Sequence, residues 1–261
     1  MELHSLGVGA TYAQADVQQM ALLLTGLEAN LRDGFVFHPN RAEPGAEVVL
    51  DKAYGGEGLA PIKAALIDLA RHPATAAHIA GKLATHFVAD QPDPALVAAM
   101  TAAYVASGGA LLEVYAAMLN HPAAWVPRQM KARPPVEFVL AALRALGMTG
   151  EALQRMARGP FSRLILKPMA LMGQEWQNPI DPDGWSEAAE AWITPQGLGA
   201  RISWAMEVPG RLVRPMPDPV DFANRALGPA ADARLLWAAA RAETTREGVG
   251  LVLASPAFNR R

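Results

Sequence analysis

Cysteine is absent from the 261 residues. That excludes disulfides, thiolate metal sites and a cysteine nucleophile, and it leaves the redox compartment open. Charge is scarce, at 18% of residues, and balanced: 23 basic against 25 acidic side chains create no field to draw in nucleic acid or an anionic membrane surface. Neither is expected as a partner. Long apolar runs are missing as well. The longest, "LVAAMTAAYVA" at 96–106, has eleven residues against roughly 18 needed for a membrane span. The opening "MELHSLGVGATY" carries neither the basic nor the apolar region of a secretory signal. The chain as given reads as soluble, with its compartment open.

The strong catalytic motifs are missing too. There is no G-x-S-x-G elbow, no Walker lysine loop, no H-E-x-x-H helix and no N-x-S/T sequon. "GVGATYA" at 7–13 lacks the third glycine and the preceding strand of a dinucleotide fingerprint. Gly55, Gly56 and Gly58 have no lysine partner and are read as shaping the approach to a helix. No cofactor is predicted.

What is present is helical grammar. With 51% hydrophobic residues the chain is globular, and its length suits a single domain, residues 1–261. Asp93-Pro94 is an N-cap followed by proline at the first helical position, and Leu96, Val97, Met100 and Tyr104 mark an apolar face that stops at Gly108. Leu111, Leu112, Tyr115, Met118 and Leu119 mark the next helix, ending before Pro122. "PPVEFVLAALRALG" repeats apolar residues at Val136, Val139, Leu140, Leu143 and Leu146 and closes at Gly147. Residues 194–212, 218–228 and 230–256 read as further helices.

Three corners share one device. "LARHPATA", "MLNHPAAW" and "VLASPAF" each end an apolar helix with His-Pro or Ser-Pro. Proline disfavours α conformation in the residue before it, so His72 and His121 are explained as stop signals without chemistry. Between the first two corners, "HPATAAHIAGKLATHF" at 72–87 places Ile79, Leu83 and Phe87 on one stripe and His78, Lys82 and His86 on the next. His78 and His86 stand about 80° apart around the axis and about 12 Å along it. They cannot share an ion, and Lys82 occupies the position where a second ligand would sit. The stripe is a polar helix face, with an anion-contacting role for Lys82 as the sharper alternative. No metal site is predicted.

Two regions break the pattern. "FVFHPNRAEPGAEVVL" at 35–50 has β-prone ends around a proline- and glycine-containing loop and reads as one small hairpin. "GQEWQNPIDPDGW" at 173–185 holds three acids, three amides, two prolines and two tryptophans. It is a binding-loop candidate through Gln174, Trp176 and Trp185, or a connection pinned to the body by its tryptophans. "KARPPVEF" sets Lys131, Arg133 and Glu137 around a helix start, where Glu137 offsets the helix dipole and the two cations either pair with it or bind an anion. Glu2 and His4 form a weaker acid/base hint.

"MELHSLGV…QADV", "HPATAAHIAGKLATHFV…DPALV", "GGALLEVYAAML", "PVEFVLAALRALG", "MGQEWQNP…DGW" and "LVLASPAFNRR", taken together and in order, resemble the bacterial DUF eighteen-hundred family. The resemblance implies a mostly helical bacterial protein with no established activity. It also implies a protein partner of a sulfatase- or phosphatase-like family encoded nearby, and export in many members. Family members are usually longer, with the "MELHSLG" block in mid-chain, so this chain is expected to match the C-terminal part of the pattern.

The expected fold is mainly α: roughly eight to ten amphipathic helices with one hairpin near 35–50. Two functional readings follow. The first is a helical binding or scaffold protein that docks a partner protein or small ligand through Lys82, Lys131, Arg133, Gln174, Trp176 and Trp185. The second is a hydrolase-like enzyme with Glu2, His4 or Glu137 as acid/base beside an anion held by Lys131 or Arg133.

Overall fold

A computed structural model describes residues 1–32, 34–125 and 131–261. The architecture is mainly α, with fifteen α-helices among these residues and two small antiparallel hairpins. Ten of the helices run for eight residues or more and five span only four or five. The count exceeds the eight to ten expected because short helices of four or five residues, unreadable from periodicity, occur within 150–171 and at 189–192 and 209–212. Length suggests one domain, and within it the chain folds as two compact units: 1–87 with 91–125, and 88–90 with the later residues. No helix among the described residues is long and apolar enough to cross a membrane.

The first unit holds α1 (Gln14–Leu23), α2 (Ala60–Arg71), α3 (Pro73–Phe87), α4 (Pro94–Ala106) and α5 (Leu111–Asn120), with β1 (Leu27–Asn30), β2 (Gly34–Phe37), β3 (Ala46–Val49) and β4 (Lys52–Gly55). The strands expected at 35–50 exist, but they do not pair with each other. β2 pairs with β1 and β3 with β4. A two-residue turn explains the choice. Leu50 and Asp51 both have positive φ, 52° and 59°, the backbone of the tight hairpin turn whose twist matches the strands it joins. Such a closure costs less chain entropy than the longer loop between β2 and β3. Leu6, Met20, Leu23, Val49, Tyr54, Ile62, Ala65 and Leu69 form the core here.

The corners behave as expected. α2 ends at His72 and α5 at His121, both in extended conformation. Each imidazole Nδ1 then accepts a backbone N–H two residues on, from Ala74 (3.1 Å) and Ala123 (3.2 Å). Asp93 caps α4, its carboxylate accepting from the Ala95 N–H at 2.7 Å. The buried faces differ from expectation on three helices, one of them Pro135–Ala145, where Leu140 is 51% exposed. α3 buries Ala76, Ala80 and Ala84 and leaves Phe87 exposed, because small side chains allow close approach to α4. α5 buries Val114 and Met118 and exposes Leu111, Leu112 and Leu119.

The second unit contains α6 (Pro135–Ala145), α7 (Gly150–Gln154), α8 (Arg158–Phe161), α9 (Lys167–Leu171), α10 (Ala189–Trp192), α11 (Pro195–Glu207), α12 (Pro209–Leu212), α13 (Pro219–Leu227), α14 (Ala233–Ala240) and α15 (Thr245–Ala254). Its core is built on Phe138, Leu143, Met169, Trp204, Phe222, Val249, Leu253 and Phe258. α15 packs against α11, α13 and α14. Gly248 makes that possible: a Cβ there would stand 2.5 Å from the Pro219 ring and 2.8 Å from the Ala239 carbonyl oxygen. Ser255 closes α15 as the third corner, its hydroxyl accepting from the Phe258 N–H.

Candidate functional site

The segment 131–133 lies antiparallel to the last three residues. Lys131 and Arg261 exchange backbone hydrogen bonds (3.2 and 2.9 Å), and the Arg133 N–H donates to the Asn259 carbonyl at 2.9 Å. Lys131 and Arg133, which flank the paired Ala132, meet different surroundings.

Lys131 is only 2% exposed. Its ammonium donates to Asp90 Oδ1 (2.6 Å) and to the Glu187 carbonyl (2.8 Å), and stands 3.1 Å from Glu187 Oε2. Asp90 Oδ2 accepts in turn from the Ala189 N–H at 2.8 Å. The three donor positions of the ammonium are thus engaged within the protein, and Lys131 is a structural cross-link here.

Arg133 rests its guanidinium against the Phe258 ring, 4.9 Å from the centroid, a cation–π contact. Burial lowers its pKa from the usual arginine value, opposed by the Glu137 charge and reinforced by that of Arg261. It lines a cavity of about 380 Å³ with Ala141, Arg144, Ala145, Arg225, Ala226 and Phe258. Arg144 comes from the last turn of α6 and Arg225 from the last turn of α13, where cations also complement the helix dipole. Ala141 and Ala145, one helical turn apart, keep the wall low. Among the described residues no carboxylate lines this cavity.

Arg201, on α11, is the residue that sequence reasoning missed. It is 1% exposed and donates to Asn259 Oδ1 (2.9 Å) and the Arg133 carbonyl (2.7 Å), with its guanidinium 5.2 Å from the Phe138 centroid. Desolvation pulls its pKa down to about 10, so it stays cationic at neutral pH. Arg201 therefore ties the chain end to the segment that carries Arg133. An arginine in a helix reads as surface, and no local signal in "GARISW" marks this one.

The remaining candidates fall elsewhere. Glu137 sits in the first turn of α6, its Oε2 3.0 Å from Arg261 Nε, an ion pair whose N–H is not aligned as a hydrogen bond. Gln174 is buried and accepts the Val136 N–H at 2.8 Å. It thereby caps the first amide that α6 can offer after two prolines. Trp185 is half-buried, 6.0 Å from the ring of Trp192, whereas Trp176 is 50% exposed. One tryptophan pins the loop and the other stands clear of it.

In the first unit Glu2 and His4 are both exposed on a π-helical turn, Glu2–Leu6, and neither a hydrogen bond nor an ion pair joins them. His4 lines an apolar cavity of about 490 Å³ with Met20, Leu24, Leu66, Ile79 and Tyr104. Lys82 is exposed on α3, and His78 donates from Nε2 to the Leu3 carbonyl at 3.3 Å. No group of three His, Asp or Glu side chains among the described residues is placed to hold a metal ion. Of the expected site residues, Arg133 and Glu137 remain together at one end of α6; Arg133 lines the arginine cavity and His4 the apolar cavity of the first unit.

A family described as "Protein of unknown function (DUF1800)" matches residues 1–260. No curated protein and no solved structure matches the chain.

Proposed function

The chain belongs to the DUF1800 family, and from that premise we propose that it is a helical binding protein whose ligand is a small organic anion. The supporting observation is the cavity lined by Arg133, Arg144 and Arg225 without a carboxylate among the described residues. Three like charges around one space repel each other, and an oxyanion between them offsets that repulsion. Guanidinium groups match the geometry of phosphate, sulfate and carboxylate, with two parallel hydrogen bonds each. Phe258 and the three alanines offer the ligand an apolar wall, which favours an anion carrying a hydrocarbon or aromatic body over the bare ion. Oxyanion esters are also the compounds handled by the sulfatase- or phosphatase-like partner that the family resemblance implies.

The hydrolase alternative has less support. General acid/base catalysis requires a group within about 3 Å of the proton it moves, and no carboxylate, histidine or hydroxyl among the described residues lines the arginine cavity. Glu137 is held by Arg261 and Lys131 by Asp90 and Glu187.

Calorimetric titration of the full chain with phenyl phosphate and phenyl sulfate tests the reading. Saturable binding is expected, weakening about tenfold (~1.4 kcal/mol) in Arg225→Ala and again in Arg144→Ala. Both side chains are exposed, so folding is preserved. Phenol should not bind. Equal affinity in wild type and both variants overturns the site, and release of phenol from either ester favours the hydrolase.

A further inference from the structure

A second cavity, in the first unit, carries the opposite charge and does not depend on the reading above. It has a volume of about 580 Å³ and is lined by Glu43, Glu47 and Glu57, by Leu23, Phe37 and Ile62, and by the glycines and prolines of the loops around β3 and β4. Gly56 and Gly58, both with positive φ, carry the chain around its rim into α2, which is where the glycine cluster of the sequence was expected to act.

Glu47 is the unusual member. Side chains alternate along a strand, and on β3 the buried positions are Glu47 and Val49, opposite the exposed Ala46 and Val48. A carboxylate thus occupies an inward position of the hairpin, directly across from the buried Tyr54. It is 6% exposed. Among the described residues no hydrogen-bond donor or cation reaches it. The nearby cations are engaged elsewhere, Arg41 with Glu28 at 2.9 Å and Lys52 with Asp68. Cross-strand packing alone would favour an apolar residue at this position. The carboxylate opens onto a space that two further carboxylates share and that no cation among the described residues lines.

The shape selects among cations. No group of three acidic side chains among the described residues is close enough to hold a metal ion, and the walls are apolar between the charges. That combination suits a cation with a hydrocarbon stem, its methylenes on Leu23, Phe37 and Ile62 and its ammonium at Glu47. We propose that this cavity binds a primary alkyl ammonium, supplied either by a free polyamine or by a lysine side chain of a peptide, with Glu47 as the buried counter-charge.

The test is titration of the full chain with spermidine, with a blocked lysine tripeptide and with 1,6-hexanediol, followed by calorimetry and by thermal unfolding. At least one amine should bind and raise the unfolding temperature, and the diol should do neither. Glu47→Gln should weaken amine binding about tenfold or more. Glu57→Gln, on an exposed loop, should weaken it about two- to threefold, as expected for a solvent-screened charge. Tighter binding of spermidine identifies the free polyamine as the source, and tighter binding of the peptide identifies the lysine side chain. Should Glu47→Gln fail to fold, the double variant Glu43→Gln/Glu57→Gln carries the test, with about a tenfold loss expected. The proposal is overturned if neither amine binds at millimolar concentration, if the variants bind as wild type does, or if calcium binds where both amines fail.

Discussion

Replacing Lys131 with methionine keeps the aliphatic stem and removes the ammonium, separating a structural cross-link from a ligand-binding cation. The gross attraction at an effective dielectric of 20 is about 6 kcal/mol to Asp90 and about 5 kcal/mol to Glu187. Desolvation of three charges cancels much of that sum. What the variant measures is the cost of taking the Lys131 ammonium away from the two carboxylates and the Glu187 carbonyl. Removing one partner of a buried pair costs about 3–5 kcal/mol, and side-chain exposures of 28% for Asp90 and 33% for Glu187 let water recover part of it. A loss of about 3 kcal/mol is therefore expected in urea unfolding. The companion Lys131→Met/Asp90→Asn should recover about 1 kcal/mol, because one orphaned charge has gone. Phenyl phosphate affinity, by contrast, should stay within about twofold of wild type in Lys131→Met, measured where the variant is folded. A stability loss below about 1 kcal/mol, or a tenfold loss of anion affinity, would refute the assignment of Lys131 as a cross-link.

Three further outcomes are expected. Tyr54 donates to Asp68 Oδ2 at 2.8 Å, and burial, then that hydrogen bond, raise its pKa to about 12. A raised pKa stabilises the fold fully below the unfolded value of about 10 and is lost as pH rises through about 12. Tyrosinate absorbance should thus show one of the four tyrosines ionising late. In Asp68→Asn its midpoint should fall but stay above 10, since desolvation is the larger cause; an unchanged midpoint would contradict the network. Asp68 has the opposite sign: Lys52 and Tyr54 hold its pKa low, so its contribution is present above about 4 and lost on acidification. Gly248→Ala sets two effects against each other. Alanine gains about 1 kcal/mol of helix propensity, while its Cβ would meet the Pro219 ring and the Ala239 carbonyl, overpacking that costs about 1–3 kcal/mol or more. Net destabilisation in thermal unfolding is expected, and a stabilised variant would show that α13 and α15 separate easily.

The arginine cavity is half legible in the sequence. Arg133 can be singled out because two prolines and a helix start follow it, a local signal. Arg144 and Arg225 cannot, since each looks like an ordinary cation in the last turn of its helix. Arg201 resembles any surface arginine of α11 until Asn259, 58 positions away in the chain, accepts its hydrogen bond. Glu47 stands in a strand for which the sequence pattern suggests the wrong partner, so its inward direction is hidden as well. Lys131 is recognisable as a special cation, but its task is not, because neither Asp90 nor Glu187 is near it in sequence.

Local rules were enough for the mainly α class, for the helix starts at Asp93 and Pro135 and for the corners at His72, His121 and Ser255. In each case the signal and its effect lie within four residues, so neighbouring dihedrals and caps decide the outcome. Tertiary structure decided which face of each helix is buried, which strands pair and which charges meet. Alanine-rich helices such as α3 offer several apolar stripes of similar strength, and only the approach of a neighbour selects one. Charges obey the same limit: Lys131 became a cross-link because Asp90 and Glu187 reach it, and Arg133 a cavity wall because Arg144, Arg225 and Phe258 gather beside it.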